Sequence, residues 1–457
     1  MDIAFILLVV GLVAYAMLKK LNPQATLITA GLALLAYSQL RGLAPVMPEG
    51  ESQGLLFFDL WQKFAEITNL RLSSVGLTLV SICGVSTYLT HIGASQAMVR
   101  LTSRPIMAIG NPYTLLAIML VFVSFLYVFI TGATSLALLL MGTLYPVMRN
   151  AGISAPTAIA TIVIPTAWEF GPGQINAVIG ADAINVDVME FVVQHQAIFQ
   201  GLLLVAIPVI NILWQRYCDK KAGYNPADDR GKYLENLDKD SDVQAPGYYA
   251  LMPILPFALL FGFSSLFVSS IKMNIPIAMM TTMSICIVID AIHHRSLNKA
   301  FDNFNAWLKG TGMIFGSVIT LMLAAEFFSS GLSNAGAITG LIETAQSMSL
   351  GPAGVAMVFS LFILLTAFIT GSGNAPVMAF IPIVPMIAES FNVNPLLALI
   401  PILFAAGIGR TISPVAGVVI TVAGMGQITP LEVVKRTSIP MISSMVIVLI
   451  TAITMYA

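Results

Sequence analysis

The sequence predicts an all-α polytopic membrane protein, organised as an inverted-topology repeat with two re-entrant hairpins and two broken helices. Its composition, its long apolar segments and an internal repeat support this fold class. Hydrophobic residues make up 57% of the 457 positions and charged residues only 9%, whereas soluble proteins devote about a quarter of their residues to charge. The composition therefore excludes a soluble globular domain, and the net charge of -1 gives no indication of nucleic-acid binding.

Apolar segments of spanning length recur along the chain. A transmembrane helix needs about 20 mostly apolar residues, and the sequence lacks the alternating pattern of outer-membrane strands. Simple spans are predicted near residues 3–18, 24–40, 72–90, 193–214, 249–270, 274–292, 311–330 and 438–456. The first of them has neither the basic segment nor the cleavage site of a signal peptide, so we expect it to be retained.

Two longer apolar blocks, 112–181 and 353–424, are interrupted repeatedly by Gly, Pro, Ser and Thr. Interruptions at membrane depth are typical of re-entrant hairpins and unwound helices rather than of simple spans. We therefore predict hairpins at about 112–150 and 353–391, and broken helices at about 153–182 and 394–424.

An internal repeat relates the two halves. Residues 129–132 read Phe-Ile-Thr-Gly, and residues 368–371 repeat these four letters. Upstream, Gly93-Ala94 matches Gly336-Ala337. The predicted units are a first repeat at 1–214, a hydrophilic cytoplasmic linker at 215–247 and a second repeat at 248–457.

Basic residues set the predicted orientation, because cytoplasmic loops near span ends are enriched in Lys and Arg. If both termini are periplasmic, most basic residues face the cytoplasm, Lys309 and Arg436 among them. The halves then run in opposite directions, an arrangement that places a substrate site near the midplane and exposes it alternately on the two sides. The basic residues left on the periplasmic side are Arg41, Lys63, Arg71 and Lys272.

Small polar residues form both predicted hairpin turns. Glycine allows close approach to a backbone, and the N–H groups that begin a helix favour an anion. The alternative is that small residues only permit close helix packing. Because two such turns occupy equivalent positions, we predict that they bind substrate. The candidate residues are Thr131, Gly132, Ala133, Thr134 and Ser135, and Thr370, Gly371, Ser372, Gly373 and Asn374.

The broken helices contribute further candidates, and they hold two charges at membrane depth. An intramembrane charge costs about 2.5 to 3.5 kcal/mol even on a lenient scale, so Glu169 and Arg410 need a role. Either they pair with each other, or Arg410 faces an anionic substrate while Glu169 carries a proton or fixes the pocket. Glu326, midway along an apolar segment, is a second proton-coupling candidate, and the alternative is that it faces a water-filled cavity or a helix end. The remaining predicted binding residues are Gly173, Gln174, Asn176, Thr411 and Ser413.

The residues of the second block resemble a known family. Residues 394–401 read Asn-Pro-Leu-Leu-Ala-Leu-Ile-Pro, and residues 409–414 read Gly-Arg-Thr-Ile-Ser-Pro. With the paired Thr-Gly turns, they make the whole chain similar to the DcuC-type anaerobic C4-dicarboxylate transporters of bacterial inner membranes. More broadly, the order of hairpin and broken helix resembles the ion transporter superfamily.

The resemblance implies an elevator-type secondary transporter that works as a homodimer in the lipid bilayer of the inner membrane. It implies succinate, fumarate or malate as substrate, moved with protons or in exchange for another dicarboxylate. The superfamily's Ser-Asn-Thr hairpin motif falls on Thr131-Gly132-Ala133 and Thr370-Gly371-Ser372 and is not kept. Its loss favours protons or exchange over sodium.

The sequence thus predicts a C4-dicarboxylate carrier that acts without a metal or a cofactor. The nearest alternatives are a carrier of another anionic metabolite and a cation/proton antiporter of the same fold. An enzyme is disfavoured, because no P-loop, HExxH, GxSxG or Cys/His cluster is present. A channel is disfavoured because it needs no inverted broken repeats.

Overall fold

The computed structural model describes residues 2–19, 21–48, 50–103, 112–225, 245–263, 273–336 and 351–457. Every regular element within these ranges is helical. Most of the predicted linker, the last part of the span predicted at 249–270, Lys272 and Ala337 lie outside the described residues.

Capping residues mark the start of several helices at positions where hydropathy predicts a span to begin. The Asn22 side chain accepts a hydrogen bond from the Ala25 amide at 2.9 Å, and Pro23 follows as the first helical residue, a position that suits its fixed φ. The first half contains α1 (Asp2–Leu18), α2 (Pro23–Arg41), α3 (Leu56–Arg71), α4 (Leu77–His91), α5 (Ala94–Ser103), α6 (Pro112–Phe129), α7 (Ala133–Asn150), α8 (Ala155–Val163), α9 (Ile175–Ala183) and α10 (Val188–Lys221).

Capping residues also mark helix starts in the second half. Thr429 and Glu432 form a capping box that begins the last helix. The helices are α11 (Leu255–Gly262), α12 (Ile275–His294), α13 (Leu297–Ile314), α14 (Thr320–Asn334), α15 (Pro352–Thr370), α16 (Asn374–Phe380), α17 (Val384–Phe391), α18 (Leu396–Thr411), α19 (Gly417–Met425) and α20 (Pro430–Tyr456).

Helices of membrane-spanning character dominate the described part of the chain. Seven are long and apolar enough to cross a bilayer, or eight if the bent pair Leu77–His91 and Ala94–Leu101 is one span. The prediction of an all-helical polytopic protein is therefore confirmed.

Two π-helical turns occupy equivalent positions in the two halves. Leu72–Gly76 joins α3 to α4, and Phe315–Ile319 joins α13 to α14. Their first residues lie 243 positions apart in sequence, as do Gly93 and Gly336, which both have φ of 80°. These matched irregularities support the internal repeat.

Two predicted spans have different bounds in the structure. The span predicted at 72–90 is part of a longer helical stretch, because α3 runs directly into it. Hydropathy does not reveal α3, since its charged residues Asp59, Lys63 and Glu66 lower the mean hydropathy of this helix. The span predicted at 311–330 belongs to one helical stretch, Leu297–Asn334. Lys309 therefore lies within a helix and not in a loop.

The second broken helix is interrupted later than the sequence predicts. The density of Gly and Pro at residues 406–414 predicts unwinding over that whole stretch, but α18 continues through Arg410 to Thr411. A Cβ on Gly407 would collide with the Ala167 carbonyl oxygen, and one on Gly409 with the Leu364 carbonyl oxygen. These glycines permit close packing of a regular helix, and the break lies at residues 412–416.

The first broken helix contacts the second at this glycine. After α8, a 3-10 turn, Ile164–Ala167, leads into a non-helical stretch that ends where α9 begins. Ala167 touches Gly407 backbone to backbone. The 3-10 turn that leads into the first break is therefore held against α18, a little more than one turn before the second break.

Candidate binding site

A cavity of about 900 Å³ lies where the two helix–turn–helix segments and the two breaks meet. Its size falls in the range typical of small-molecule sites. The predicted site residues that line it are Thr131, Gly132, Ala133, Thr134, Ser135, Glu169, Gly173, Gln174, Gly371, Ser372, Gly373, Asn374 and Arg410.

The first turn joins α6 to α7. Gly132 has φ of 96°, a conformation that residues with a Cβ rarely adopt. The chain can therefore reverse and start α7 at Ala133, with the N-terminus of an 18-residue helix at the cavity. The Thr131 hydroxyl donates to the Ser86 hydroxyl at 2.9 Å, which fixes the turn against α4.

The second turn joins α15 to α16 and is packed more tightly. Gly371 has φ of 71°, and a Cβ there would lie 2.8 Å from the backbone of Val415 and Ala416. A Cβ on Gly373 would lie 3.3 Å from the Ala406 carbonyl oxygen. The turn is thus pressed against α18 and its break.

Arg410 and Glu169 form an ion pair at the cavity wall. Arg410 Nη1 donates to Glu169 Oε1 at 2.8 Å, and Nη2 donates to the Thr166 carbonyl oxygen at 2.7 Å. The side chains are 14% and 8% exposed. Glu169 has φ of 43°, so its backbone is held in the left-handed region. Two roles were considered for Glu169 and Arg410, and the structure contains the first of them, in which the two side chains pair with each other.

The rest of the first break is held by α6. The Gln174 side chain donates to the Tyr127 carbonyl oxygen at 2.6 Å. A Cβ on Gly173 would lie 3.1 Å from the Thr131 side chain, so this glycine lets the break lie directly on the first turn.

Five predicted residues lie outside the cavity lining. Asn176, Thr411 and Ser413 are fully buried behind it. The Thr370 hydroxyl donates to the Thr366 carbonyl oxygen one turn back in α15. Glu326 lines a separate cavity of about 70 Å³. Their proposed roles in binding or coupling stay predictions.

Glu326 belongs to a three-membered charge cluster that sequence reasoning missed. Arg71 Nη2 donates to Glu326 at 2.8 Å, and Arg71 Nη1 donates to Asp182. Arg71, for which the sequence predicts the periplasmic side, ends α3 and joins α14 to the end of α9. The partners are 111 and 255 positions away in sequence, so no local pattern marks them.

A polar wall, formed by α4 and α13, lines the cavity together with the turns. Sequence reasoning missed it as well. The spacing of Asp302, Asn305 and Lys309 by three and four places them on one face of a helix, which is the signal that was available. The wall residues that line the cavity are Ser86, Thr87, Thr90 and His91 on α4 and Asp302, Asn305 and Lys309 on α13.

Two solved structures share the fold. The chain is similar to the YdaH transporter of Alcanivorax borkumensis, with a TM-score of 0.63, 14% identity, and coverage of 94% of this chain and 97% of that chain. It is also similar to MtrF of Neisseria gonorrhoeae, with a TM-score of 0.62, 13% identity and coverage of 96% of each. MtrF is described as illuminating a class of antimetabolite efflux pumps.

Sequence relatives are closer. A protein of Vibrio cholerae named as a probable anaerobic C4-dicarboxylate transporter, DcuC, is 33% identical over 457 residues, or 98% of each chain. The Escherichia coli anaerobic C4-dicarboxylate transporter DcuC is 33% identical over 450 residues, covering 97% of this chain and 94% of that one. The profile of the family described as DcuC, C4-dicarboxylate anaerobic carrier, matches residues 1–457. The chain therefore belongs to the DcuC family.

Proposed function

We propose that the chain is a secondary active carrier of C4-dicarboxylates, with succinate, fumarate and malate as substrates, in the bacterial inner membrane. Its family is a family of carriers, so the chain is a multi-pass membrane transporter and not an enzyme. The observation that carries the proposal is the single cavity of about 900 Å³, which both turns, the first break and Arg410 line together.

The chemistry of the cavity suits an anion with a carboxylate at one end. A guanidinium has five N–H donors, so Arg410 keeps donors for a substrate after bonding Glu169 and the Thr166 carbonyl. Its planar fork matches a carboxylate. The hydroxyls and amides of the two turns supply further hydrogen bonds. In this proposal Glu169 orients Arg410, and the guanidinium binds one substrate carboxylate.

For coupling we propose protons or a counter-dicarboxylate, with sodium less favoured. Glu169 lines the substrate cavity, whereas Glu326 is paired with Arg71 in a different one. A proton on Glu169 would alter the charge beside the substrate directly. Glu169 is therefore the stronger of the two proton-coupling candidates.

For the transport cycle we propose an elevator motion in a homodimer. The two helix–turn–helix segments act as re-entrant hairpins and, with the broken helices, form the moving block. Helices α3, α4, α13 and α14 form part of the scaffold. With both termini periplasmic, the wall residues near His91 and Asp302 face the cytoplasm, so the cavity is open inward. The equivalent π turns of the two halves support the inverted repeat on which this cycle depends.

Uptake of labelled succinate into proteoliposomes tests the function. We expect unlabelled fumarate to compete and citrate to compete poorly, with uptake responding to a pH gradient or to dicarboxylate loaded inside. Equal competition by unrelated organic anions would favour a carrier of another anionic metabolite. Proton release driven by cations without succinate would favour an antiporter.

A further inference from the structure

The polar wall of α4 and α13 contains a cation to which the proposed site assigns no role. Lys309 lines the substrate cavity and is exposed to it. Within the described residues it forms no ion pair. A lysine beside a cavity that takes anions is a natural carboxylate ligand, because its ammonium offers three donors and a full charge.

Packing fixes the backbone that presents this lysine. A Cβ on Gly310 would lie 2.8 Å from the Cβ of Thr87, and one on Gly84 would lie 2.6 Å from the indole nitrogen of Trp307. Helices α4 and α13 are therefore in close contact on both sides of Lys309. The backbone of Lys309 is therefore held at a defined place on the wall.

The charged residues that line the cavity leave the Lys309 ammonium available for an anionic group of the substrate. Glu169 neutralises Arg410, so this pair adds no net positive charge at its end of the cavity. Asp302, the acidic residue on the same face of α13, is seven residues from Lys309. Seven residues of helix span about 10 Å, so Asp302 does not cancel the lysine at close range.

We propose that Lys309 binds the second carboxylate of the substrate and thereby selects dicarboxylates over monocarboxylates. The hydroxyl groups of Thr87 and Thr90, which line the cavity on α4, already donate to the carbonyl oxygens of Cys83 and Ser86, so the three N–H donors of Lys309 are what this part of the wall offers that carboxylate. One carboxylate is then held by the turns and Arg410, and the other by the wall. This inference rests on the proposal that the cavity takes C4-dicarboxylates.

Calorimetric binding to the purified full chain tests the inference, with succinate and its monomethyl ester as probes. We expect Lys309→Gln to raise the Kd for succinate about tenfold, equivalent to about 1.4 kcal/mol, and to leave the Kd for the monoester within about twofold. Lys309→Arg, which keeps the charge, should bind succinate within about threefold of the native Kd.

Lys299→Gln is the matched control. Lys299 lies on the same helix and is exposed, but it does not line the cavity. Its loss should leave both Kd values unchanged. A Lys309→Gln protein that binds succinate with native affinity would overturn the inference, and so would an equal loss for the two probes. Failure of the unsubstituted chain to bind succinate would instead overturn the proposed function together with the inference.

Discussion

The Arg410 guanidinium lies 2.8 Å from the Glu169 carboxylate and connects α18 to the break in the first broken helix. Both side chains are largely buried, so each neutralises a charge that would be costly alone. The same guanidinium lines the substrate cavity. Arg410 therefore has a structural and a proposed binding role, which different substitutions separate.

Replacing both members of this pair separates the two roles. Arg410→Gln leaves Glu169 buried without a cation and should lower the free energy of unfolding by about 3 kcal/mol. Arg410→Gln combined with Glu169→Gln should recover most of that stability yet bind succinate at least about tenfold more weakly. Thermal unfolding and calorimetry measure the two effects. Native affinity in the double variant would exclude Arg410 from the site.

The two turn glycines should differ in sensitivity. Gly371→Ala places a methyl group 2.8 Å from the Val415 backbone, so it should abolish succinate transport. Gly132→Ala meets nothing closer than 3.6 Å, so it should cost only the strain of a left-handed residue, about 1 to 2 kcal/mol. Proteoliposome uptake and thermal unfolding check this. Equal effects of the two substitutions would show that packing does not distinguish the turns.

Gly407→Ala should disrupt the contact between the broken helices. The new methyl group would overlap the Ala167 carbonyl oxygen, and we expect a loss of about 3 kcal/mol of stability. Gly424→Ala, in α19, is the control because its Cβ would have no neighbour within 4 Å. Thermal unfolding of both variants in detergent is the measurement. A stable Gly407→Ala protein would mean that the helices can separate at this point.

The cluster of Arg71, Asp182 and Glu326 should stabilise the fold without contributing to substrate affinity. Arg71→Gln leaves two carboxylates without their cation and should cost about 2 kcal/mol of stability, while the succinate Kd stays within about threefold. Lys63→Gln, in the same helix, breaks a single, partly exposed pair with Glu66 at one turn's spacing and should have little effect. If Glu326→Gln abolished the response of transport to a pH gradient, Glu326 would regain a coupling role.

Cysteine labelling tests the inverted arrangement. On a background without Cys83, Cys218 and Cys286, single cysteines at Asn150 and Asn392 should react from the cytoplasm and the periplasm respectively. Asn150 ends the second helix of the first hairpin segment, and Asn392 directly follows that of the second. Membrane-impermeant thiol reagents applied to whole cells and to inverted vesicles measure the side. Labelling of both from one side would contradict the inverted repeat.

Hydropathy and turn chemistry predict much of this fold. Long apolar runs mark most spans, and Gly132 and Gly371 mark turns because a reversal with positive φ needs glycine. The break after α18 overlaps the predicted stretch 406–414 but starts later within it, because glycine within a membrane helix signals either unwinding or close packing. Only the position of the Ala167 carbonyl, fixed by another helix, decides between the two for Gly407.

Only part of the cavity lining could be predicted, and the reason is similar. Residues of the turns and Arg410 stand out locally, as polar groups within apolar sequence. Lys309 does not, since its charge fits a loop equally well, and the contact of Arg71 with Asp182 joins positions far apart in sequence. Pairings across helices depend on which faces meet, and a single sequence does not specify this.

The backbone contact between Gly407 and Ala167 also determines how the protein can open. Where Gly407 and Ala167 touch, no side chains lie between the two helices that could adjust to a change in their spacing. We therefore expect these helices to stay in contact instead of separating around the substrate. In the elevator cycle that we propose, the turns and the broken helices move together as a rigid unit, and the free-energy barrier lies in their contact surface with α4 and α13. Substitutions on that surface outside the cavity lining should alter turnover, whereas those of residues that line the cavity, Lys309 among them, should alter affinity.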